Sequence, residues 1–392
     1  MLDEQIQKSI FRKAYFTFFV YGFMTLMLGV VINSVIAEYG IDYGIAGLFV
    51  ALFSAGSIAA GFLCSYLIRK IGYRTTILSL TAFIPLAYLG ITLTPQKIPL
   101  LLFFFASGIG CGTIGNINNA IVNECAVGES TALNILHMFF AVGAFMSPII
   151  ASVLTQLGIG WRYTVFIGIA ICLVMLYTYS TVNFEFMESA AKKRDVIGPA
   201  STKRPYYKFL DFYLAAAILF FYVGAEISIN GWLITYLKNR GIVGTATAQR
   251  LLSILWMIVI FGRLMCASLS KRFAKKTIIF ANIVASVFFL ILLITAQTES
   301  AVTISVIGIG FFFAGIYPTT VANVGSILKG SSKATAVLLA SGSFGGIVTP
   351  VLLGVVAEKI NLRAGMGVII ASVMLMLCAA AILQFKKEGI SP

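Results

Sequence analysis

The chain has 392 residues, 59% of them hydrophobic and only 11% charged, with a mean hydropathy of +0.98, and so much apolar surface cannot be hidden in one water-soluble core. A net charge of +14 would suit a nucleic-acid partner in a soluble protein, but here the basic residues sit in short loops between apolar runs, where they orient a membrane chain, and no nucleic acid is expected. The cysteines Cys64, Cys111, Cys125, Cys172, Cys266 and Cys378 show no CxxC pairing and fall almost wholly in apolar runs, so neither a disulfide framework nor a metal site is read from them.

A span needs about 20 largely apolar residues, and twelve such runs follow one another. They are placed near 11–37, 44–68, 76–95, 98–126, 131–157 and 161–182, then 208–238, 246–270, 277–297, 299–327, 333–357 and 364–385. The first, Phe11 to Ala37, is too long for a signal peptide and is read as a retained span. With both termini on the cytoplasmic side, 20 of the 28 Lys and Arg fall on that side and 7 on the other, while Arg263 lies within a span. That bias sets the expected orientation. The long polar connection Asn183 to Tyr207, with Lys192, Lys193, Arg194, Lys203 and Arg204, divides the chain into a half of six helices at 1–182, a cytoplasmic linker at 183–207 and a second half at 208–392. Its basic residues serve topology, or anionic lipid headgroups.

The sequence also repeats itself. A shift of 202 residues lays Gly22 on Gly224, Gly29 on Gly231, Cys64 on Cys266, Gly143 on Gly345 and Pro148 on Pro350, and Arg69-Lys70 on Lys271-Arg272. Two parallel six-span repeats, related by an axis along the membrane normal, resemble the major facilitator superfamily. The loop CSYLIRKIGYR is similar to that family's G-x-x-x-D-R-x-x-G-x-R, with Arg69, Gly72 and Arg74 in place, Cys64 for the first Gly and Ile68 for the Asp. Within the superfamily the chain resembles the fucose and glucose symporter branch. GIGCGTIGNINN at 108–119, LNILHMFFAVG at 133–143 and YVGAEISINGWLITYL at 222–237 are similar to its fourth, fifth and seventh spans. The fucose carriers keep an Asp in span one, a Glu where Thr113 stands, a Gln where His137 stands and an Asn where Phe140 stands. Those departures point away from fucose. The resemblance implies an all-α membrane protein of twelve transmembrane helices whose site lies between spans one, four, seven and ten.

An ionisable side chain deep in a span costs about 2.5–3.5 kcal/mol or more on insertion scales, and so faces a cavity or a partner. Glu226 is the deepest acid, about 3 residues past the centre of span seven, or roughly 5 Å. Tyr222, Glu226 and Asn230 recur every four residues and form one polar stripe, continued by Trp232. Glu226 is read as accepting solute hydroxyls, as carrying a coupling proton, or as a buried acid tying span seven across the bundle. In span four Asn116 and Asn119 share a stripe with Thr113 and Asn123, and carboxamides donate and accept as a sugar requires. Tyr317, Pro318 and Asn323 in span ten lie near the repeat-equivalent positions, Pro318 falling on Asn116, and the proline permits a kink. His137, the sole histidine, is a packing residue or a relay and matches the branch's Gln. Trp232 and Trp256 offer faces for a sugar ring, and Trp161 an interfacial anchor. Arg69, Arg74, Glu124 and Arg263 near the cytoplasmic ends are assigned to a gating latch.

The resulting expectation is a secondary active or facilitative transporter in the plasma membrane or bacterial inner membrane. It moves a small neutral solute, a hexose-type sugar, by alternating access, with proton, sodium or no coupling left open and no cofactor or metal. The rival is a facilitator-type exporter of amphipathic drugs or metabolites. An intramembrane enzyme is not expected, since the chain carries one His and no HExxH, GxSxG or paired-acid motif.

Overall fold

The computed structural model describes residues 4–125, 130–184, 187, 206–328 and 332–386. The linker residues Lys192, Lys193, Arg194, Lys203 and Arg204, and Lys329 and Lys387, lie outside them. Among the described residues the regular elements are α1 (Glu4–Tyr39), α2 (Tyr43–Thr81), α3 (Phe83–Leu93), α4 (Lys97–Cys125), α5 (Ser130–Gln156), α6 (Trp161–Ser180), a 3-10 turn at Tyr206–Lys208, α7 (Leu210–Asn239), α8 (Thr245–Leu269), α9 (Lys275–Thr295), α10 (Glu299–Phe313), α11 (Ile316–Asn323), α12 (Gly325–Leu328), α13 (Ser332–Lys359) and α14 (Leu362–Phe385).

Hydrocarbon offers backbone N–H and C=O groups no partner, and an unbroken apolar run satisfies its own only as a helix. Eleven described stretches are long and apolar enough to cross a membrane. One of them, Tyr43–Leu93, has 51 residues, or about 76 Å at 1.5 Å per residue against a core of about 30 Å. It turns at Gly72, whose φ of 77° is a conformation that residues bearing a Cβ rarely adopt. That stretch supplies two crossings, and the molecule is an all-α, twelve-span membrane protein. Helix α2 continues past the apolar run to Thr81, because its basic residues can keep helical bonds among headgroups on either side of the bend. The tenth span is broken into α10, α11 and α12. Pro318 has no N–H to give the carbonyl of Ala314, and the helix parts at Ala314–Gly315.

The 202-residue shift carries helix onto helix. It moves α5 to 332–358, where α13 lies, and the start of α2 to 245, where α8 begins. Packing repeats with it. Helix α1 lies on α5 as α7 lies on α13, and α2 meets α13 as α8 meets α5. At the first pair of crossings the backbones approach so closely that a Cβ on Gly143 would collide with the carbonyl of Phe19, and one on Gly345 with that of Phe220.

The end of the bundle opposite the termini is closed by bonds between the two sets of helices. Tyr43 N–H donates to Glu358 Oε2 at 2.8 Å, Asn239 Nδ2 to Tyr43 Oη at 3.4 Å, Ser152 Oγ to the Ala246 carbonyl at 2.8 Å and Thr155 Oγ1 to Gln249 Oε1 at 3.1 Å. Asp42 precedes α2 in the N-cap position but makes no cap. Its carboxylate is held by Lys97 Nζ at 2.7 Å, which lowers its pKa below the ordinary aspartate value. Glu358, from the other set of helices, takes the first amide of α2 in its place, where the helix dipole favours an anion.

Replacing Gly143 or Gly345 by Leu is expected to lower stability by about 1–3 kcal/mol through overpacking, read as an earlier thermal transition of purified protein. Gly44→Ala, where a Cβ meets nothing within 4 Å, should leave the transition in place. An unshifted transition for Gly345→Leu would contradict the α7–α13 crossing.

Candidate functional site

Glu226 stands in the middle of α7, and its Oε1 accepts the hydroxyl of Tyr222, one turn earlier, at 2.8 Å. The Tyr222 ring lies against Phe313 of α10 and Tyr317 of α11, with centroids 5.4 and 6.0 Å away. One turn further along α7, Asn230 Oδ1 accepts Trp256 Nε1 of α8 at 3.1 Å. Glu226, Asn230, Trp256 and Phe313 line a crevice barely large enough for one water molecule. Arg263, two turns beyond Trp256 on α8, is half-buried, and its charge reaches Tyr222 and Glu226. Its Nε is buried without a hydrogen-bond partner. Among the described residues no carboxylate comes within ion-pair distance of it.

The facing wall comes from α1, α4 and α5. Phe140 of α5 meets Trp256 edge to face at 5.5 Å, joining the two sets of helices. Behind it Tyr21 and Phe18 of α1 follow in edge-on and tilted contacts, with Tyr21–Phe140 at 4.9 Å and Phe18–Tyr21 at 5.3 Å. The His137 ring stands edge-on to Phe18 at 5.3 Å and is exposed. Tyr21 lies within electrostatic reach of Glu226 and Tyr317. Asn116 of α4 is exposed, its amide 3.7 Å from where a Cβ on Gly61 of α2 would stand. His137 on α5 and Arg263 on α8 stand one and two turns from the Phe140–Trp256 contact, on the side away from the Ser152–Ala246 bond. Among the described residues Asn116, His137 and Arg263 donate or accept no side-chain hydrogen bond.

Other sequence candidates take different places. Thr113 is buried and turned toward α2, its hydroxyl bonded to the Ile109 carbonyl at 2.8 Å and accepting Cys64 Sγ at 3.6 Å. Asn119 gives its amide to the Gly115 carbonyl of its own helix at 2.8 Å. Trp232 is fully buried at the closed end, edge-on to Tyr43 at 5.9 Å, with Nε1 unpartnered. Asn323 is half-buried at the end of α11. Of the four latch residues, Arg69 and Arg74 are exposed at the terminal end, Glu124 is half-buried near the end of α4, and Arg263 is half-buried two turns beyond Trp256 on α8. The side chain of Asn123 lies outside the described residues. Tyr21, Phe18 and Phe313 were not singled out from the sequence. In a chain that is 13% aromatic, nothing marks one aromatic residue as lining a cavity.

The family model of the Major Facilitator Superfamily matches residues 14–328. The chain is 22% identical over 358 residues to a "Protein TsgA homolog" of Erwinia tasmaniensis, covering 90% of this chain and 89% of that protein. It is also 22% identical over 401 residues to a "Putative glucose/galactose transporter" of Helicobacter pylori, covering 95% and 94%. Its fold is similar to the crystal structure of the nucleoside transporter NupG, with a TM-score of 0.75 at 14% identity over 97% of this chain and all of that one.

Asn118 separates packing asparagines from the exposed one. Its Nδ2 donates to Thr17 Oγ1 at 2.9 Å and Tyr179 Oη at 3.0 Å, both buried. Asn118→Leu should therefore cost about 1–3 kcal/mol in thermal stability, while Asn116→Leu should not. Equal losses would place Asn116 in the packing as well.

Proposed function

The chain belongs to the Major Facilitator Superfamily, and on that premise we propose that this multi-pass membrane transporter moves a small polyhydroxylated solute of hexose size by alternating access. One observation carries the reading. Among the described residues Asn116 and His137, both exposed, and Arg263, whose Nε is buried without a partner, make no side-chain hydrogen bond, and the last two stand on helices joined by the Phe140–Trp256 contact. Hydrocarbon cannot satisfy such groups, so water or a solute must. Hydroxyls that donate and accept suit Asn116 and Glu226, and the rings of Trp256 and Phe140 suit the apolar face of a sugar. The name carried by the Helicobacter pylori relative points to the same class of solute.

The moving parts are the halves 1–182 and 208–392, joined by the 183–207 linker. The basic bias puts both termini in the cytoplasm, and the closed end then faces outward. The bonds Tyr43–Glu358 and Ser152–Ala246 must break for the solute to enter from outside. Substrate contacts are assigned to Asn116, Asn119, His137, Tyr222, Glu226, Asn230, Tyr317 and Asn323. Thr113 supports the α2–α4 contact and Trp232 the outer closure. Glu226 is assigned the coupling proton, because it is the acid at mid-span and its carboxyl already has a hydroxyl donor in Tyr222 to hold it when ionised.

Uptake and counterflow in proteoliposomes, with a competition panel of hexoses, nucleosides and hydrophobic cations, test the solute class. Competition by the cations alone would replace the sugar reading with the export of amphipathic compounds. Glu226→Gln removes titration and keeps size, so proton-driven accumulation should fall at least tenfold while counterflow continues. Accumulation with wild-type pH dependence would remove the coupling role. For orientation, single cysteines at Lys271 and Lys97, both exposed, should react with an impermeant reagent from opposite sides in a background lacking the exposed Cys378.

A further inference from the structure

Arg263 stands two turns beyond Trp256 on α8, and among the described residues it has no ion-pair partner. The guanidinium is planar and always charged, and it presents five N–H donors in a fork that matches a carboxylate. Among the described residues it makes no ion pair and no side-chain hydrogen bond, and its Nε is buried without a partner. Glu226 gives its Oε1 to Tyr222. The fold itself does not require a cation here, since the residue that the 202-residue shift places opposite Arg263 is Gly61, at the corresponding turn of α2 beside the amide of Asn116. The charge is thus an addition to α8 at its crossing with α5, where Phe140 meets Trp256 and the Ser152–Ala246 bond sets the two helices antiparallel, so that His137 before Phe140 and Arg263 after Trp256 lie on the same side of the contact. His137 is exposed, and its ring nitrogens have no protein partner among the described residues.

We propose that Arg263 and His137 form an anion subsite within the solute site, so that the solute transported is a sugar acid, a hexose-sized polyol bearing one carboxylate. The inference rests on the polyol reading above and adds a charge to the neutral sugar expected from the sequence. The carboxylate lies in the fork of Arg263 with His137 across from it, and the hydroxyl end reaches toward Asn116 and Glu226. The other titratable groups within electrostatic reach of Arg263 are Tyr222 and Glu226 from α7. Glu226 sets the polarity of the solute, since a carboxylate placed next to it would meet a like charge. The acid group must point to Arg263 and the hydroxyls to Glu226. A single guanidinium balances one negative charge, which selects a monocarboxylate over a phosphate dianion.

The test is equilibrium binding to the purified full chain of D-glucose and D-galactose against D-glucuronate and D-galacturonate, with glucose 6-phosphate and acetate as controls. A hexuronate should bind about tenfold or more tightly than its parent hexose, the worth of one charge-assisted hydrogen-bond pair. Acetate should be weak for want of hydroxyls. Arg263→Gln should collapse the hexuronate-to-hexose affinity ratio to near one, and Arg263→Lys should restore it in part. Should Arg263→Gln fail to fold, His137→Leu, on the other wall, should lower the same ratio severalfold. Hexose binding as tight as hexuronate binding in the wild-type chain overturns the inference and leaves the polyol reading standing. So does an unchanged ratio in the folded Arg263→Gln or, in its absence, the His137→Leu variant. Glucose 6-phosphate binding more tightly than either uronate overturns the single-charge assignment. No binding by any polyol overturns both readings together.

Discussion

A lipid-embedded chain has no water to fall back on, and that constraint decides both what this protein is and where it acts. Each backbone amide in the hydrocarbon must be bonded within its own segment, which leaves helices as the form of twelve successive apolar runs. The same rule applied to side chains is a filter. Thr17, Asn118 and Tyr179 satisfy one another, and Thr113 bonds to its own helix and to Cys64. Asn116, His137 and Arg263 are left without a side-chain hydrogen bond among the described residues, as are Trp232 Nε1 at the closed end and several buried hydroxyls, and the proposed site uses the first three. Tyr222 and Glu226 are satisfied by each other.

The spans and their repeat were legible because both depend on patterns that composition cannot blur. Length fixes the crossings, and glycines at close backbone approaches recur at the same shift that carries α5 onto α13. Glu226 was legible for the same reason, since an acid at mid-span needs an explanation wherever it points. Direction around a helix was less so. Thr113 shares a stripe with Asn116 in a projection, yet it lies one turn deeper against α2, where two helices meet closely and only a small hydroxyl fits. Trp232 follows Asn230 by two residues and so points to the opposite side, into the closure against Tyr43. Arg263 lies toward one end of α8, and for so long a side chain depth in the sequence does not report the depth of the guanidinium.

Aromatic residues bind the two walls of the site. Phe140 and Trp256 are in contact across the boundary between the sets of helices, and each leads back to a polar residue, Trp256 through its N–H to Asn230 and Phe140 through Tyr21 and Phe18 to His137. Edge-to-face pairs of this kind are worth about 0.5–1.5 kcal/mol beyond burial and tolerate sliding better than a hydrogen bond does. In the cycle proposed above that is a useful property, because a contact that must be broken and remade around a solute cannot leave behind an orphaned donor in hydrocarbon.

The closed end obeys the complementary logic. The bonds that hold it, Tyr43 to Glu358, Asn239 to Tyr43, Ser152 to Ala246 and Thr155 to Gln249, are few, and two of the four are solvent-exposed. Hydrogen bonds of this kind contribute about 0.5–1.5 kcal/mol each. When they open at the surface their groups return to water rather than to lipid, so no desolvation penalty is left outstanding. A closure of a few kcal/mol is within the range that differential solute binding can offset, and a ligand can shift a two-state equilibrium only by as much as it distinguishes the states. A deeply buried ion pair at the same place would fix one state, because breaking it strands two charges. The charged residues here are arranged to avoid that. The Lys97–Asp42 and Arg162–Glu38 pairs join residues within one half and are partly exposed, and Glu358 reaches across to a backbone amide and a helix dipole rather than to a cation.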